Sequence, residues 1–202
     1  MKQVLTERDL MHVAAGSRLH VPADAIVTPA ARDLATSKQI EICYQQPGSA
    51  GRVVAVAADH GGFTMKQAVI ELLTELGYTV HDFGTHDTQP VDYPDFAYKV
   101  AEAISSRRCW RGIVIDGAGI GSCMAANKVP GVRAACCHDV YTARNSREHN
   151  DANVLTLGAN TISLEAMRQI VTVWLSTEVG AERHRRRVEK IMEIERKFLG
   201  RT

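Results

Sequence analysis

The chain has 202 residues, of which 45% are hydrophobic and 23% are charged, and its formal net charge is +1. This length supports one good-sized hydrophobic core with a small appendage. The balanced charge gives no indication of a nucleic-acid or membrane partner, so the composition favours a protein that binds a small molecule.

Cysteine usage and the N-terminal sequence indicate a reducing compartment. No two cysteines form a CxxC pair, and their spacing does not suit a zinc site, so we expect no metal. The first residues, MKQVLTERDLMHVAAG, lack the apolar core of a secretory signal, and no apolar run approaches the roughly 18 residues that span a bilayer. These features predict a soluble cytoplasmic protein.

Residues 1–50 predict a small helical extension. Thr6, with Asp9 three positions later, has the pattern of a helix N-cap, and Thr28-Pro29 is a second helix start. The predicted elements are helices over about 7–14 and 29–37, a strand over 40–44 and a linker over 45–51.

Residues 51–202 predict one α/β domain. Short β-branched runs alternate with amphipathic stretches, which is the pattern of repeated βαβ units and a parallel sheet. Five strands are predicted, over 53–58, 78–84, 112–116, 132–137 and 153–158. Helices are predicted over about 63–76, 95–106, from the loop after the third strand to about 128, 139–148 and 162–177.

The last segment, ERHRRRVEKIMEIERKFLG, predicts a charged helix with an apolar face. That face contains Val188, Ile191, Met192, Ile194 and Phe198. Either the same domain or a second subunit could cover it.

The stretch IVIDGAGIGSCMAANK, residues 113–128, places an acid and three glycines at the end of the third strand. Loops at the carboxyl ends of parallel strands are where α/β sheets bind ligands. The loop lacks the full GxGxxG pattern, because Ser122 stands at the last glycine position, and it does not follow the first strand. A dinucleotide site is therefore disfavoured. A phosphate, a sugar oxyanion and a turn without a ligand stay open.

Three further polar segments have both a structural and a functional interpretation. Asp59-His60 directly follows the first strand and either caps the next helix or contacts a ligand. Residues 146–153 combine a histidine, amides and acids, which also suit a helix end and turn. Arg183 and Arg187 are four apart and form either a fork for one phosphate or a solvated surface.

Taken together, these motifs resemble those of the type B ribose-5-phosphate isomerases and their galactose-6-phosphate isomerase relatives. The resemblance extends over about 52–198. The matching segments are Asp59-His60-Gly61-Gly62-Phe63 with Lys66, Asp92-Tyr93-Pro94, GAGIG with Ala125-Ala126-Asn127-Lys128, His149-Asn150-Asp151-Ala152-Asn153-Val154, and Arg183-His184 with Arg187.

The resemblance implies a Rossmann-like, three-layer α/β/α fold that works as a homodimer or a tetramer of dimers. It implies active sites shared between subunits and no metal or other cofactor. The expected reaction interconverts D-ribose 5-phosphate and D-ribulose 5-phosphate through an enediol. Isomerisation of a different pentose or hexose phosphate stays open, as does a non-catalytic sugar-phosphate-binding or scaffold role.

The resemblance also implies roles for individual residues. His149 would open the sugar ring, and backbone N–H groups around Gly117, Gly119 and Gly121 would stabilise the enediolate oxygen. The remaining expected substrate contacts are Asp59, His60, Tyr93, Ser122 and Asn150, with Arg183, His184 and Arg187 from the partner subunit on the phosphate.

Three positions depart from the family pattern. Many members carry a catalytic cysteine where this chain has Asp116, and another branch carries a glutamate base where it has Ser122. Asp116 is therefore the expected base that moves a proton between C1 and C2, with Cys123 in reserve. Asn160 replaces a usual arginine of the phosphate site, which leaves the sugar open.

Residues 1–50 precede the part of the chain that resembles the isomerases. LTERDLMHVAAG and the segment after it are similar to segments on enzymes packaged in bacterial microcompartments. The extension would then dock on a shell protein or a cargo enzyme. An accessory subdomain that packs on the core or extends the dimer is the alternative.

Overall fold

The computed structural model describes residues 4–22, 25–45 and 51–200. The chain forms two compact units. One contains the described residues up to Arg52 together with Leu73–Thr79, and the other contains Val53–Leu72 and the described residues from Val80 onward.

The first unit combines two helices with four short strands in two parallel pairs. The strands are β1 (Val4–Leu5), β2 (Arg18–Pro22), β3 (Ile26–Val27) and β4 (Glu41–Gln45), and the helices are α1 (Glu7–Leu10) and α2 (Pro29–Ser37). Strand β1 pairs with β3, and β2 pairs with β4. Both predicted helix starts are confirmed, because Asp9 accepts the N–H of Thr6 and Thr28 accepts the N–H of Ala31.

The prediction of a helical extension was incomplete, because three of the four strands were missed. Strands of two to five residues give too little alternation to be distinguished from loop sequence. Their apolar residues form a small core with the helices. The core contains Leu5, Leu10, Val21, Val27, Ala31, Ala35 and Ile40. The predicted linker lies mostly at 46–50, outside the described residues.

The second unit contains a five-stranded parallel sheet in the order β6-β5-β7-β9-β8. Its strands are β5 (Val53–Ala58), β6 (Thr79–Asp82), β7 (Arg111–Asp116), β8 (Ala134–Cys136) and β9 (Val154–Gly158). The helices are α3 (Phe63–Glu75), α4 (Tyr93–Ser105), α5 (Ile120–Ala126), α6 (Val140–Glu148), α7 (Leu164–Ser176) and α8 (Glu182–Leu199). The last three residues of α3 and the first residue of β6 belong to the first unit. The predicted α/β fold with a five-stranded parallel sheet is confirmed.

The central strands are buried on both faces, as expected for a parallel sheet covered by helices. Strand β7 and all but the first residue of β5 are fully or almost fully buried. Ala55, Ala57 and Val114 pack with Ala97 and Val100 of α4 in one core cluster. This packing fixes the positions of the strand ends. The loops that contain the polar motifs begin or end there, so their attachment points are fixed as well. No helix among residues 4–22, 25–45 and 51–200 is long and apolar enough to cross a membrane.

Candidate active site

The sheet separates the expected site residues into two groups at its opposite edges. The carboxyl-edge group follows β5 and β7 and contains Asp59, His60, Tyr93, Asp116, Gly117, Gly119, Gly121 and Ser122. The amino-edge group lies where α6 returns to the start of β9 and contains His149, Asn150, Arg183, His184 and Arg187. Strand β9 has five residues, so its length places the two edges about 15 Å apart. One chain therefore keeps the two groups apart.

Asp116 ends β7 and holds the glycine loop through its carboxylate. The residue is 5% exposed. Its Oδ1 accepts the N–H of Ala118 at 2.8 Å and that of Gly119, and Oδ2 accepts the N–H of Ser122 at 2.9 Å. Each carboxylate oxygen offers about two lone-pair directions, so Oδ2 keeps one for a substrate proton. The same side chain therefore shapes the loop and retains capacity to act as a base.

The loop conformation depends on glycine at two positions. Gly119 has a φ of +79°, which a residue with a side chain rarely adopts. A Cβ on Gly121 would lie 2.6 Å from the Tyr93 ring, so the ring lies directly against the loop. The structure thus places Tyr93 beside the glycine loop.

Several polar groups of the glycine loop have no hydrogen-bond partner among the described residues. The buried Ser122 hydroxyl has no hydrogen-bond partner among the described residues. The N–H of Gly119 already binds Asp116, so the backbone donors left for an oxyanion in the described part of the loop are those of Gly117, Ile120 and Gly121. Asn160 also lies next to the loop, because a Cβ on Gly117 would be 3.2 Å from its Nδ2. The loop is thus flanked by neutral donors and acid side chains.

Asp59 and His60 lie in the loop after β5. Asp59 is buried, and its Oδ1 accepts the N–H of Gly62 at 2.8 Å, so it closes the turn that precedes α3. The Nδ1 of His60 accepts the N–H of Val91 at 3.2 Å, which assigns the ring proton to Nε2. This contact joins His60 to the segment that precedes Tyr93.

Lys66 fixes the beginning of the segment that connects β6 to Tyr93. It is fully buried, and its Nζ contacts both carboxylate oxygens of Asp82 and the carbonyl of Thr85 at 2.7 Å each. All three ammonium protons are therefore used within the protein. Lys66 fixes the loop near the site and does not reach a ligand.

The amino-edge group is organised by two stacked histidines. The rings of His149 and His184 are 4.1 Å apart at an interplanar angle of 21°. The side-chain amide of Asn145 contacts the Nδ1 of His149 at 3.2 Å, so Nδ1 is engaged within the chain. The His149 side chain is 41% exposed, so Nε2 can reach a ligand.

His184 is buried in the first turn of α8 and carries an unpaired donor. Arg183 Nε donates to its Nε2 at 3.3 Å, so the ring proton belongs on Nδ1. That Nδ1 is buried without a partner among the described residues. Burial lowers the pKa of His184, and His149, Arg183 and Arg187 lower it further, while Glu148 opposes them. A neutral imidazole with a free N–H beside arginines suits an anion.

The predicted apolar face of the last helix is only partly covered in the single chain. Ile191, Ile194 and Phe198 of α8 are 43%, 57% and 65% exposed. They line a groove of about 840 Å³ that also includes Val132 and Asn150. The groove therefore extends along α8 and includes one of the expected site residues, Asn150.

Two other expectations concerned cysteine and metal chemistry. Burial raises the pKa of the Cys123 thiol, and its Sγ donates to the carbonyl of Ala134 at 3.4 Å. Cys123 is therefore a poor base. No group of three or more histidine, cysteine or acidic side chains suited to a metal occurs in the described part of the chain.

Two partners of site histidines were not predicted from the sequence, namely Asn145, which contacts His149, and Val91, which contacts His60. Asn145 could have been found, because it is four residues before His149 on the same helix. Val91 contacts His60 through its backbone N–H and leaves no signal in residue type.

Comparison with known proteins identifies the class. The ribose-5-phosphate isomerase B structure from Clostridium thermocellum is 52% identical, with a TM-score of 0.71, and the alignment covers 72% of this chain and 99% of that chain. Ribose-5-phosphate isomerase B of Escherichia coli (strain K12) is 41% identical over 71% of this chain and 97% of the relative. D-erythrulose-4-phosphate isomerase of Pectobacterium atrosepticum is 41% identical over 68% of this chain and 91% of the relative. The protein is an isomerase.

The family follows from a match to most of the α/β domain. The profile described as ribose/galactose isomerase matches residues 54–191. The chain belongs to the ribose/galactose isomerase family. The matched range contains both edge groups and leaves the first fifty residues outside.

Proposed function

We propose that the protein interconverts an aldose phosphate and a ketose phosphate through an enediol. D-ribose 5-phosphate and D-ribulose 5-phosphate are the first candidate pair, because two of the compared proteins are ribose-5-phosphate isomerases. The observation that carries the proposal is the chemical contrast between the edges. One edge offers an acid and neutral backbone donors, and the other offers arginines around a buried imidazole N–H.

The amino-edge group suits the phosphate and the opening of the sugar ring. Arg183, Arg187 and the Nδ1–H of His184 would hold the phosphate. His149 Nε2 would take the proton of the anomeric hydroxyl and give it to the ring oxygen, so the bond between C1 and the ring oxygen breaks and the imidazole is regenerated. Asn150 directly follows His149 in the chain and would hold a sugar hydroxyl.

The carboxyl-edge group suits the proton transfer. Asp116 Oδ2 would take the proton from C2 of the aldose and return it to C1, and the hydroxyl protons would exchange between the two oxygens. The free N–H groups of Gly117 and Gly121 would stabilise the enediolate oxygen. Asp59, His60, Tyr93 and the unpaired hydroxyl of Ser122 would bind sugar hydroxyls.

The two groups can act on one substrate only if two chains meet, so we propose a homodimer with shared sites, alone or paired as a tetramer. The exposed groove along α8 supports this arrangement, as do the exposed Ile120 and Met124 beside the glycine loop. Sedimentation should give a mass of at least twice 22.1 kDa. A stable single chain with full activity would contradict the shared site.

Proton exchange in deuterated water tests the reaction. Incubation with a panel of four-, five- and six-carbon aldose and ketose phosphates should place deuterium at C1 or C2 of the true substrate. The panel is needed because Asn160 replaces a cation and because one relative is named for a four-carbon sugar. Binding of sugar phosphates without any exchange would favour the alternative, a non-catalytic binding or scaffold protein.

We further propose that the protein works in the cytoplasm and that residues 1–50 dock it inside a bacterial microcompartment. Val4 and Ile26 pair in register and are 50% and 52% exposed, which gives the first unit an apolar surface patch. Deleting residues 1–50 should abolish co-localisation with shell proteins and leave kcat within about twofold. Loss of folding would indicate the accessory-subdomain alternative instead.

A further inference from the structure

Arg147 is a buried guanidinium with no part in the proposed proton transfers. It lies in the last turn of α6 and is 3% exposed. Its Nη1 donates to Asp151 Oδ1 at 2.8 Å and to the carbonyl of Ala152 at 2.6 Å. Its Nε donates to the carbonyl of Thr177 at 3.2 Å. One side chain thus joins the segment after α6 to the connection between α7 and α8.

The two stacked histidines lie close in sequence to the two joined segments. His149 directly follows α6, and His184 lies seven residues beyond Thr177. A second tie runs beside the first, because the N–H of Gly180 donates to the carbonyl of Glu148 at 2.8 Å. Arg147 and the bond between Gly180 and Glu148 therefore both tie the segment of His149 to the segment that leads to His184.

A hydrophobic side chain could fill this space without the cost of burying a charge. Burial lowers the pKa of Arg147, and the carboxylates of Asp151 and Glu178 oppose that shift. Buried ion pairs are often replaced by apolar residues with little loss of stability. A guanidinium has one advantage here, since its rigid fork fixes several acceptors in one plane. The planar geometry of the guanidinium is therefore the property that an apolar side chain could not supply at this position.

We propose that Arg147 is a positioning residue for the sugar-phosphate site, and that it sets the distance and angle between His149 and His184. The kinetic part of this proposal rests on the proposed function, whereas the structural part does not. Lysine at this position would keep the charge and lose the planar fork, so it would loosen the histidine stack while preserving the fold.

The test compares R147K with a matched variant, R111K, in the full-length protein. Arg111 is also buried and also donates to the carbonyls of Leu175 and Thr177, but it reaches them from β7 and not from α6. NMR of histidine C–H signals, assigned with H149Q and H184Q, reports the ring-current shifts of the stack without needing activity. KM and kcat for the sugar phosphate report substrate binding and turnover at the site.

In R147K we expect the ring-current shifts to shrink by about half or more and KM to rise about tenfold, with a smaller change in kcat. R111K should keep the shifts and a KM within about threefold of wild type. Unchanged shifts in R147K, or equal losses in R111K, would overturn the positioning role. If R147K does not fold, D151N provides the second variant, because it removes the carboxylate on Nη1 and should cause the same loss in milder form. Altered shifts in a protein without isomerase activity would sustain the positioning role and reject the proposed function alone.

Discussion

Replacing His149 with alanine is expected to lower kcat/KM for a ring-forming sugar phosphate by about a hundredfold. Positioned general acids typically contribute about 10²–10⁴-fold, and spontaneous ring opening limits the loss to the lower part of that range. His149 is suited to this role because Asn145 contacts Nδ1 and leaves the exposed Nε2 to carry the proton. Steady-state kinetics with ribose 5-phosphate measures the effect.

A substrate that cannot cyclise provides the control for H149A. In a four-carbon aldose 4-phosphate, the oxygen on C4 is esterified, so no five-membered ring forms and no opening step is needed. Deuterium exchange into this substrate should fall by less than about fivefold in H149A, because only binding contacts are lost. Equal losses on both substrates would show that His149 acts in binding or in the proton transfer itself.

Mixing two inactive variants tests the shared site directly. H149A damages only the amino edge, and D116N damages only the carboxyl edge. If each site combines one edge from each chain, a random mixture forms about half mixed dimers, each with one intact site, and recovers about a quarter of wild-type activity. No recovery after verified subunit exchange would mean that both edges of one site come from the same chain.

Replacing Asp116 with asparagine is expected to lower kcat by about 10³-fold. An asparagine Oδ1 can still accept the N–H groups of Ala118 and Gly119, so most of the loop contacts survive. What disappears is the basic oxygen beside Ser122, and loss of a general base costs about 10²–10⁴-fold. Single-turnover exchange of the C2 proton in deuterated water measures this step without interference from product release.

Two further variants distinguish a base from a loop anchor at this position. D116C restores the thiol that resembles the family base and should recover activity relative to D116N, with a rate that increases as the thiol ionises. C123S should stay within about twofold of wild type, because that thiol is buried and already bonded to Ala134. Activity of D116N within tenfold of wild type would assign Asp116 to loop structure alone.

The fold was largely predictable because its central strands are buried on both faces. A run such as VVAVAA, followed by apolar residues at helical spacing, indicates a strand and helix of a parallel sheet. The order of strands and loops then places Asp59 and Asp116 at one edge. The strands of the first unit were missed because β1 and β3 have two residues each, too few for any periodicity.

The candidate site was predictable as a set of residues and not as an arrangement. Sequence order places His149 before a strand and Asp116 after one. These positions lie at opposite edges of the sheet only because all five strands are parallel. The threefold hydrogen bonding of Asp116 depends on the backbone turn at Gly119, and the His149–His184 stack depends on contacts across thirty-five positions. Such contacts arise from tertiary packing, which residue types do not specify.

The separation of the two edges has a genetic consequence. In a shared-site dimer, a chain carrying both H149A and D116N would contribute one damaged edge to each of the two sites of any mixed dimer. Such a chain would leave each site of the mixed dimer with about a hundredth of its activity or less, whereas a chain damaged at one edge would spare one site. Co-expression of the doubly altered chain should therefore act as a dominant inhibitor of the wild-type protein, and the singly altered chains should act only as partial ones.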